Sequence, residues 1–193
     1  MTGILLAAGF SRRFGAADKL LQLLPDGRQI ALAAGQNLVR ALPGSIAVVR
    51  PGAHLLKEML EEAGLSVVRC AEHELEMADS LATAVRNLAQ DGSGYLVALA
   101  DMPFIQPATI RAIAERLAAG ATIVAPSYHG RRGHPVGFAP RFRDDLLALR
   151  GDAGARSILQ AHAQEITLLP CEDAGILRDI DTPADLIQQN AEH

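Results

Sequence analysis

Short apolar runs and helix-periodic stretches alternate along much of this chain, and that alternation restricts the fold more than any other feature. The runs are "GILLAA" (3–8), "SIAVVR" (45–50), "LSVVRC" (65–70), "YLVALA" (95–100) and "ATIVAP" (121–126). The clearest helical stretch is "PATIRAIAERLAAG" (107–120), where Ile110, Ile113, Ala114 and Leu117 fall on one face. Pro107 suits a first helical turn and Gly120 a C-terminal cap. Strands alternating with helices predict right-handed βαβ units and a mostly parallel sheet covered on both faces. Beyond Pro126 the pattern loosens: "HGRRGHPVGF" reads as a hairpin-like stretch, two helices follow, and "ILRDIDTPADLIQQN" comes last. No linker, repeat or low-complexity tract divides the chain, so residues 1–193 are expected to form a single domain.

Composition excludes several function classes. The 193 residues are 49% hydrophobic, which is enough for a sizeable core. A net charge of −4 argues against non-specific nucleic-acid binding, so any phosphate site must be a local basic pocket. No stretch is long and apolar enough to span a membrane. The N-terminus lacks the basic start and apolar core of a secretory signal, so a cytoplasmic protein is expected. The two cysteines, Cys70 and Cys171, lie far apart and outside any CxxC, and read as reduced thiols.

The first strand runs directly into "GFSRRFGAADK" (9–19). In open α/β sheets ligands sit beyond the carboxyl ends of the strands, where this loop lies. Gly9 and Gly15 permit positive φ or close backbone approach, which lets N–H groups turn toward an anion; Arg13 and Lys19 add mobile positive charge. A plain surface turn with solvated arginines has the same composition. Neither GxxxxGK[ST] nor GxGxxG is present, which excludes a P-loop and argues against a dinucleotide site.

The stretch "LAAGFSRRFGAADK" (6–19) reads L-A-A-G-x-S-x-R-x-G-x-x-D-K. It resembles the signature of the MobA-like NTP transferase family, the sugar-nucleotide and molybdenum-cofactor nucleotidyltransferases. The resemblance implies a three-layer, Rossmann-like nucleotidyltransferase α/β fold and a loop wrapping the triphosphate of an NTP. Arg13 and Lys19 would then carry the catalytic phosphate contacts, and Leu6, Ala7, Ala8 and Gly9 would border the base.

Other landmarks fit the same family. "LVALADMPFI" (96–105) ends a strand at Asp101; such an aspartate is a turn or cap residue, or the place for a metal-binding carboxylate, and the family carries a magnesium ligand there. In "RDIDTPADL" (178–186) a helix start accounts for Thr182 through Asp185 but not for Asp179 and Asp181. Asp181 matches the family's second metal ligand, and Asp179 is a weaker candidate that tunes the field. In "EHELEMADSLATAV" (72–85) Ser80 and Leu81 match the family's nucleotide-holding stretch, whereas Glu76 and Ala84 stand where relatives carry glycine. Without the family, Ser80 reads as a helix-start residue with Asp79 as cap.

Two further motifs, "GRRGHPVGF" (130–138) and "GDAGAR" (151–156), resemble the molybdenum cofactor cytidylyltransferase branch. The first is expected to put Arg132, Gly133 and His134 on a tight turn. Arg132, His134 and Arg156 would bind the acceptor, a pterin with a terminal phosphate; the glycines of "GDAGAR" suit a helix entrance, where N–H groups favour anions. A solvated helix arginine is the competing account of Arg156.

The implied reaction is attack of the molybdopterin phosphate on the α-phosphorus of CTP, with Mg²⁺ held by Asp101 and Asp181 and pyrophosphate leaving. Guanylyl-transferring relatives read L-A-G-G; the extra methyl of Ala8 narrows the base site toward cytosine. The cytidylylated cofactor would pass to a recipient molybdenum hydroxylase. The other readings are a guanylyltransferase or sugar-phosphate nucleotidyltransferase on this scaffold, and a non-catalytic chaperone for the cofactor.

Overall fold

A computed structural model describes residues 1–9, 18–72, 76–90, 92–151 and 154–187. The apolar runs form β1 (Thr2–Ala7), β2 (Ile46–Val49), β3 (Ser66–Arg69), β4 (Tyr95–Leu99) and β5 (Ile123–Tyr128). Between them lie α1 (Ile30–Ala41), α2 (His54–Glu62), α3 (Met77–Arg86) and α4 (Pro107–Ala118). The sheet order is β3-β2-β1-β4-β7-β5-β6, with β6 (Arg131–Arg132) and β7 (Val136–Phe138) following β5 in sequence. Pairs β1/β2, β1/β4 and β2/β3 are parallel, while β7 runs antiparallel between β4 and β5. An eighth strand, β8 (Ile166–Pro170), pairs parallel with β5.

Burial on both faces follows from the two-residue strand period. On β1, Ile4 packs into one core cluster, and Leu5 and Ala7 into the other. Likewise Leu96 and Ala98 of β4 face one side and Val97 the other. The first face is covered by α1, α2 and α4 through Leu38, Leu60 and Ile113. The second is covered by α3, α5 (Arg143–Ala148) and α6 (Arg156–Ala161) through Leu81, Leu146 and Leu159. The result is a three-layer α/β fold with a mostly parallel sheet.

Helix α4 shows how local chemistry sets an element's limits. Pro107 occupies its first position. At its other end the Gly120 N–H donates to the Leu117 carbonyl and the Ala121 N–H to that of Arg116, with Gly120 at φ +100°. Those two bonds close the orphan carbonyls in a Schellman cap, and the positive φ is why glycine stands there.

Two expectations need correction. The tight turn of the hairpin lies earlier than Arg132–His134: β5 and β6 pair Tyr128 with Arg131, and the loop is His129–Gly130. A two-residue hairpin turn that matches strand twist needs positive φ at both central residues, and these have φ 48° and 75°. Arg132 is therefore in a strand, and Gly133 is held by donating its N–H to the Pro126 carbonyl. The second correction is β8, which was not anticipated. As an edge strand it pairs only with β5, and Leu168 is exposed, so it carries no clean alternation.

Candidate active site

The carboxyl ends of β1 and β4 face the same edge of the sheet. Asp101 lies just beyond β4, and Lys19 opens a 3-10 turn (Lys19–Leu21) that the Asp18 side chain caps by accepting from the Leu20 N–H. Asp181 comes from the far end of the sequence. It arrives because the Ile180 N–H donates to the Asp101 carbonyl at 2.9 Å, laying the 178–181 strap beside the β4 end. Lys19 Nζ then donates to Asp101 Oδ2 at 2.9 Å and to Asp181 Oδ1 at 2.9 Å.

Lys19 is almost buried, at 9% exposure, yet it is held charged. Burial by itself pushes its pKa down; the charges and hydrogen bonds of Asp101 and Asp181 outweigh that and leave it above the ordinary lysine value. Two carboxylates converging on one cation form a donor set that suits Mg²⁺, which takes one or two carboxylates and completes its shell with phosphate and water oxygens. No group of three or more metal-ligating side chains occurs among the described residues. A metal here would thus depend on oxygens from elsewhere.

Beside this cluster lies a cleft of about 350 Å³ with an apolar floor that includes Leu6, Val97, Leu99 and Phe138. Arg132, His134 and Arg156 line it as well. Arg132 and Arg156 are exposed, so both guanidiniums are available at its rim. His134 is half-buried, and its Nδ1 has no hydrogen-bond partner. Burial lowers the His134 pKa; the Asp101 charge opposes this, Arg132 adds to it, and Asp179 opposes it again, with a net downward shift. Burial thus favours the neutral form of the imidazole, and its Nδ1 is shut off from solvent. Asp179 itself is exposed and acts on the cleft only through its field.

The other expected site residues are placed differently. Of Leu6, Ala7, Ala8 and Gly9, only Leu6 lines the cleft. Ala7 is fully buried and Ala8 is packed in the core on the α3 side. Gly9 is exposed, with open space around its α-carbon and without a positive φ. Ser80 is inside α3 with its hydroxyl donated to the Glu76 carbonyl at 3.2 Å and accepting from the Cys70 thiol at 3.6 Å. It is 4% exposed, and the helix cap is Glu76, with Asp79 reaching back to the Glu76 N–H. Arg13 falls outside the described residues.

Two residues that no motif flags organise the site. Arg50 closes the strand run "SIAVVR"; its guanidinium pairs with Asp18 at 2.5 Å and donates to the Gly9 carbonyl at 3.4 Å. It thereby ties together the positions on either side of segment 10–17. Asp173, buried at 3% exposure, accepts from the Gln106 N–H (2.8 Å), the Thr109 hydroxyl (2.6 Å) and the Gly175 N–H (3.0 Å). It pins the start of α4 to the 3-10 turn Ala174–Leu177, whose Ile176 carbonyl accepts from the His134 N–H. The only advance signal for Arg50 was a cationic residue at a strand's carboxyl end; Asp173 had none.

This fold, with a lysine–aspartate cluster beyond the strand ends, is that of a nucleotide-handling α/β protein. The MobA-like NTP transferase domain model matches residues 3–166, and the chain belongs to that family of nucleotidyltransferases. It is 28% identical over 94% of its length to a nicotine blue oxidoreductase of Paenarthrobacter nicotinovorans, covering 92% of that protein. It is 30% identical over 66% of its length to a probable molybdenum cofactor guanylyltransferase of Chloroflexus aggregans, covering 59% of it. Among solved structures, the Rv0371c homologue from Mycobacterium sp. strain JC1 superposes with a TM-score of 0.81 at 28% identity, covering 98% of this chain and 94% of that one.

Proposed function

We propose that this protein is a molybdenum cofactor cytidylyltransferase, joining CMP from CTP to the terminal phosphate of molybdopterin and releasing pyrophosphate. The observation that carries the reading is the convergence of Lys19, Asp101 and Asp181 beside a cleft with an apolar floor and two arginines. An apolar floor accepts a flat heterocycle, and a guanidinium accepts a phosphate in a bidentate pair. In this reading the N-terminal part of one domain holds the nucleotide and the C-terminal part holds the acceptor.

Phosphoryl-group transfer demands alignment and charge neutralisation rather than covalent help. Arg156 and Arg132 bind the acceptor phosphate, and His134, which lines the same cleft, packs against the ring. Lys19 and Arg13 hold the β- and γ-phosphates and stabilise the departing pyrophosphate. Asp101 and Asp181 would hold Mg²⁺, which when bound would supply positive charge against the negative charge that builds up in phosphoryl transfer. The chain needs no nucleophilic side chain. Its free cysteines, Cys70 and Cys171, accord with a reducing cytoplasm. The product would pass to a recipient molybdenum hydroxylase.

In this reading cytosine selection is assigned to Ala8, which is packed in the core behind the cleft rather than lining it, so its methyl would act by setting the backbone between Leu6 and Gly9; a methyl-sized difference gives about 1–3 kcal/mol of discrimination. The C. aggregans relative, named a guanylyltransferase, favours GTP as the competing nucleotide. The relative named an oxidoreductase matches more of this chain and favours a second reading, in which the cleft holds a flat heterocycle for a redox reaction. One experiment separates these: molybdopterin with each NTP and Mg²⁺, product masses recorded, and a parallel arm with a reduced nicotinamide cofactor, a flat heterocyclic quinone-type electron acceptor and no NTP. CMP addition that exceeds GMP addition, with the preference relaxed in Ala8→Gly, is the expected result. A GTP preference moves the protein to guanylyl transfer, and nicotinamide oxidation without any dinucleotide product overturns the transferase reading.

A further inference from the structure

We propose that Met77 is an acceptor-binding residue: its thioether forms an adaptable wall against the flat ring in the cleft, and Gly154 is the seat that leaves it room. The proposal deepens the reading above and rests on it for the ring in the cleft.

Among the described residues, the large apolar side chains left exposed are Leu23, Leu55, Met77 and Leu168. Of these, only Met77 lines the cleft. It opens α3, is 44% exposed and belongs to neither core cluster. Ala78, Leu81, Ala84 and Val85 pack α3 onto the sheet instead. The core therefore does not require a large side chain at position 77. An apolar side chain left on a cleft wall is surface that a ligand can cover.

The opposite wall is shaped around this side chain. The Ala78 N–H donates to the Gly151 carbonyl at 3.2 Å, which ties the first turn of α3 to the segment leading into α6. On that segment Gly154 faces the methionine: a β-carbon there would stand 2.8 Å from Met77 Sδ and 3.2 Å from its Cγ. Two residues further on, Arg156 opens α6 and lines the same cleft. Met77 thus lies between the entrances of α3 and α6, on the wall that also carries an acceptor-facing guanidinium. Methionine is unbranched and polarisable, and its sulfur makes favourable contacts with aromatic ring edges at about 5 Å. With three rotatable bonds it can leave its seat on Gly154 and follow the edge of a bound ring. Any side chain at 154 would push the sulfur into the space the ring needs, so the two positions act as one unit.

The test measures binding of an oxidised pterin that carries a side-chain phosphate, followed by its own fluorescence, without nucleotide. Met77→Ala should weaken this binding roughly fivefold or more, while CTP affinity and melting temperature stay unchanged. Met77→Leu, which keeps the apolar bulk, should recover part of the loss. Gly154→Ala should weaken pterin binding in the wild-type background but not in Met77→Ala, because its methyl acts by displacing the thioether. Equal pterin affinity in the wild type and Met77→Ala overturns the proposal and leaves the acceptor reading standing. A loss that falls on CTP instead assigns Met77 to the nucleotide and also overturns it. No pterin binding by the wild type overturns the acceptor reading and the proposal together. A footprint on the wild type avoids any folding defect of a variant. Hydrogen peroxide transfers one oxygen atom to an accessible thioether and leaves as water, giving the sulfoxide. Met77 should oxidise ahead of the buried Met59 and Met102, and the pterin phosphate should slow its oxidation several-fold. A Met77 oxidation rate that the bound pterin leaves unchanged overturns the proposal.

Discussion

The parallel half of the sheet and the hairpin-bearing half deliver their site residues by different means. Asp101 and Lys19 stand on short continuations of β4 and β1, positioned by turns of a few residues. Asp181 and His134 are held by bonds between distant backbone segments: Ile180 to Asp101, His134 to Ile176, and Gly133 to Pro126. The first arrangement leaves open space at Gly9. The second relies on close backbone approach, with no room for added atoms. A β-carbon at Gly9 would meet nothing within 4 Å, whereas at Gly133 it would stand next to the Ile176 carbonyl oxygen, well inside van der Waals contact. Charge chemistry on one side thus depends on tight packing on the other.

Mutations can break that contrast or sharpen it. The largest effect is expected at the shared centre. Asp101→Asn keeps the size and removes the charge, so pyrophosphate release should fall by roughly two orders of magnitude or more while the melting temperature barely changes. Near-normal release would remove Asp101 from the proposed mechanism. Next is Asp173→Ala, which leaves the buried donors of Gln106, Thr109 and Gly175 without their acceptor. A loss of about 2 kcal/mol is expected in urea denaturation, together with weaker acceptor binding as the Ala174–Leu177 turn loosens. Unchanged stability would show that the hairpin-bearing half does not depend on this anchor.

The two glycines test the contrast most directly. Gly133→Ala should cost roughly 1–3 kcal/mol, because a backbone carbonyl must move to admit the methyl. Gly9→Ala should alter stability by no more than about 0.5 kcal/mol. Equal costs would erase the distinction between the halves. The smallest effect is pH-dependent and belongs to His134. Its pKa in the folded protein lies below the ordinary 6.5, because burial disfavours the charged ring. The unfolded chain therefore binds more protons between the two values, and the stability contributed by the neutral ring is present above pH 6.5 and lost as the pH falls through the lower folded value. His134→Gln should flatten that acid-side decline in denaturation midpoint. A decline as steep as that of the wild type would assign it to other groups.

The legibility of the sequence follows the same division. All five apolar runs became strands, and α4 lies between the proline and glycine that mark its ends. Such signals are local: period, cap and turn chemistry act within a few residues. β8 escaped because an edge strand with one neighbour tolerates a mixed pattern. The hairpin turn was expected too late because positive φ is uncommon in any non-glycine residue, and His129-Gly130 is a weaker turn signal than Asn-Gly or Asp-Gly. At the site, Lys19, Asp101 and Asp181 were recognisable as residue types at strand and loop ends, and the structure brings all three together. Ser80 was recognisable as a motif position and as a helix-start residue; it lies in the first turn of α3, where its hydroxyl is turned inward.

The sequence by itself determined the α/β class, the family, the charged residues at the strand ends and the cap-limited helices, since each depends on residues close together in the chain. Tertiary structure alone decided that Lys19 bridges two aspartates separated from it by 82 and 162 positions. It alone decided that Arg50 ties Gly9 to Asp18, that Asp173 anchors the Ala174–Leu177 turn to the start of α4, and that burial shifts the His134 pKa downward. Those outcomes depend on burial and on which charges share one small volume, and pairwise electrostatics is set by distance in space rather than by separation along the chain.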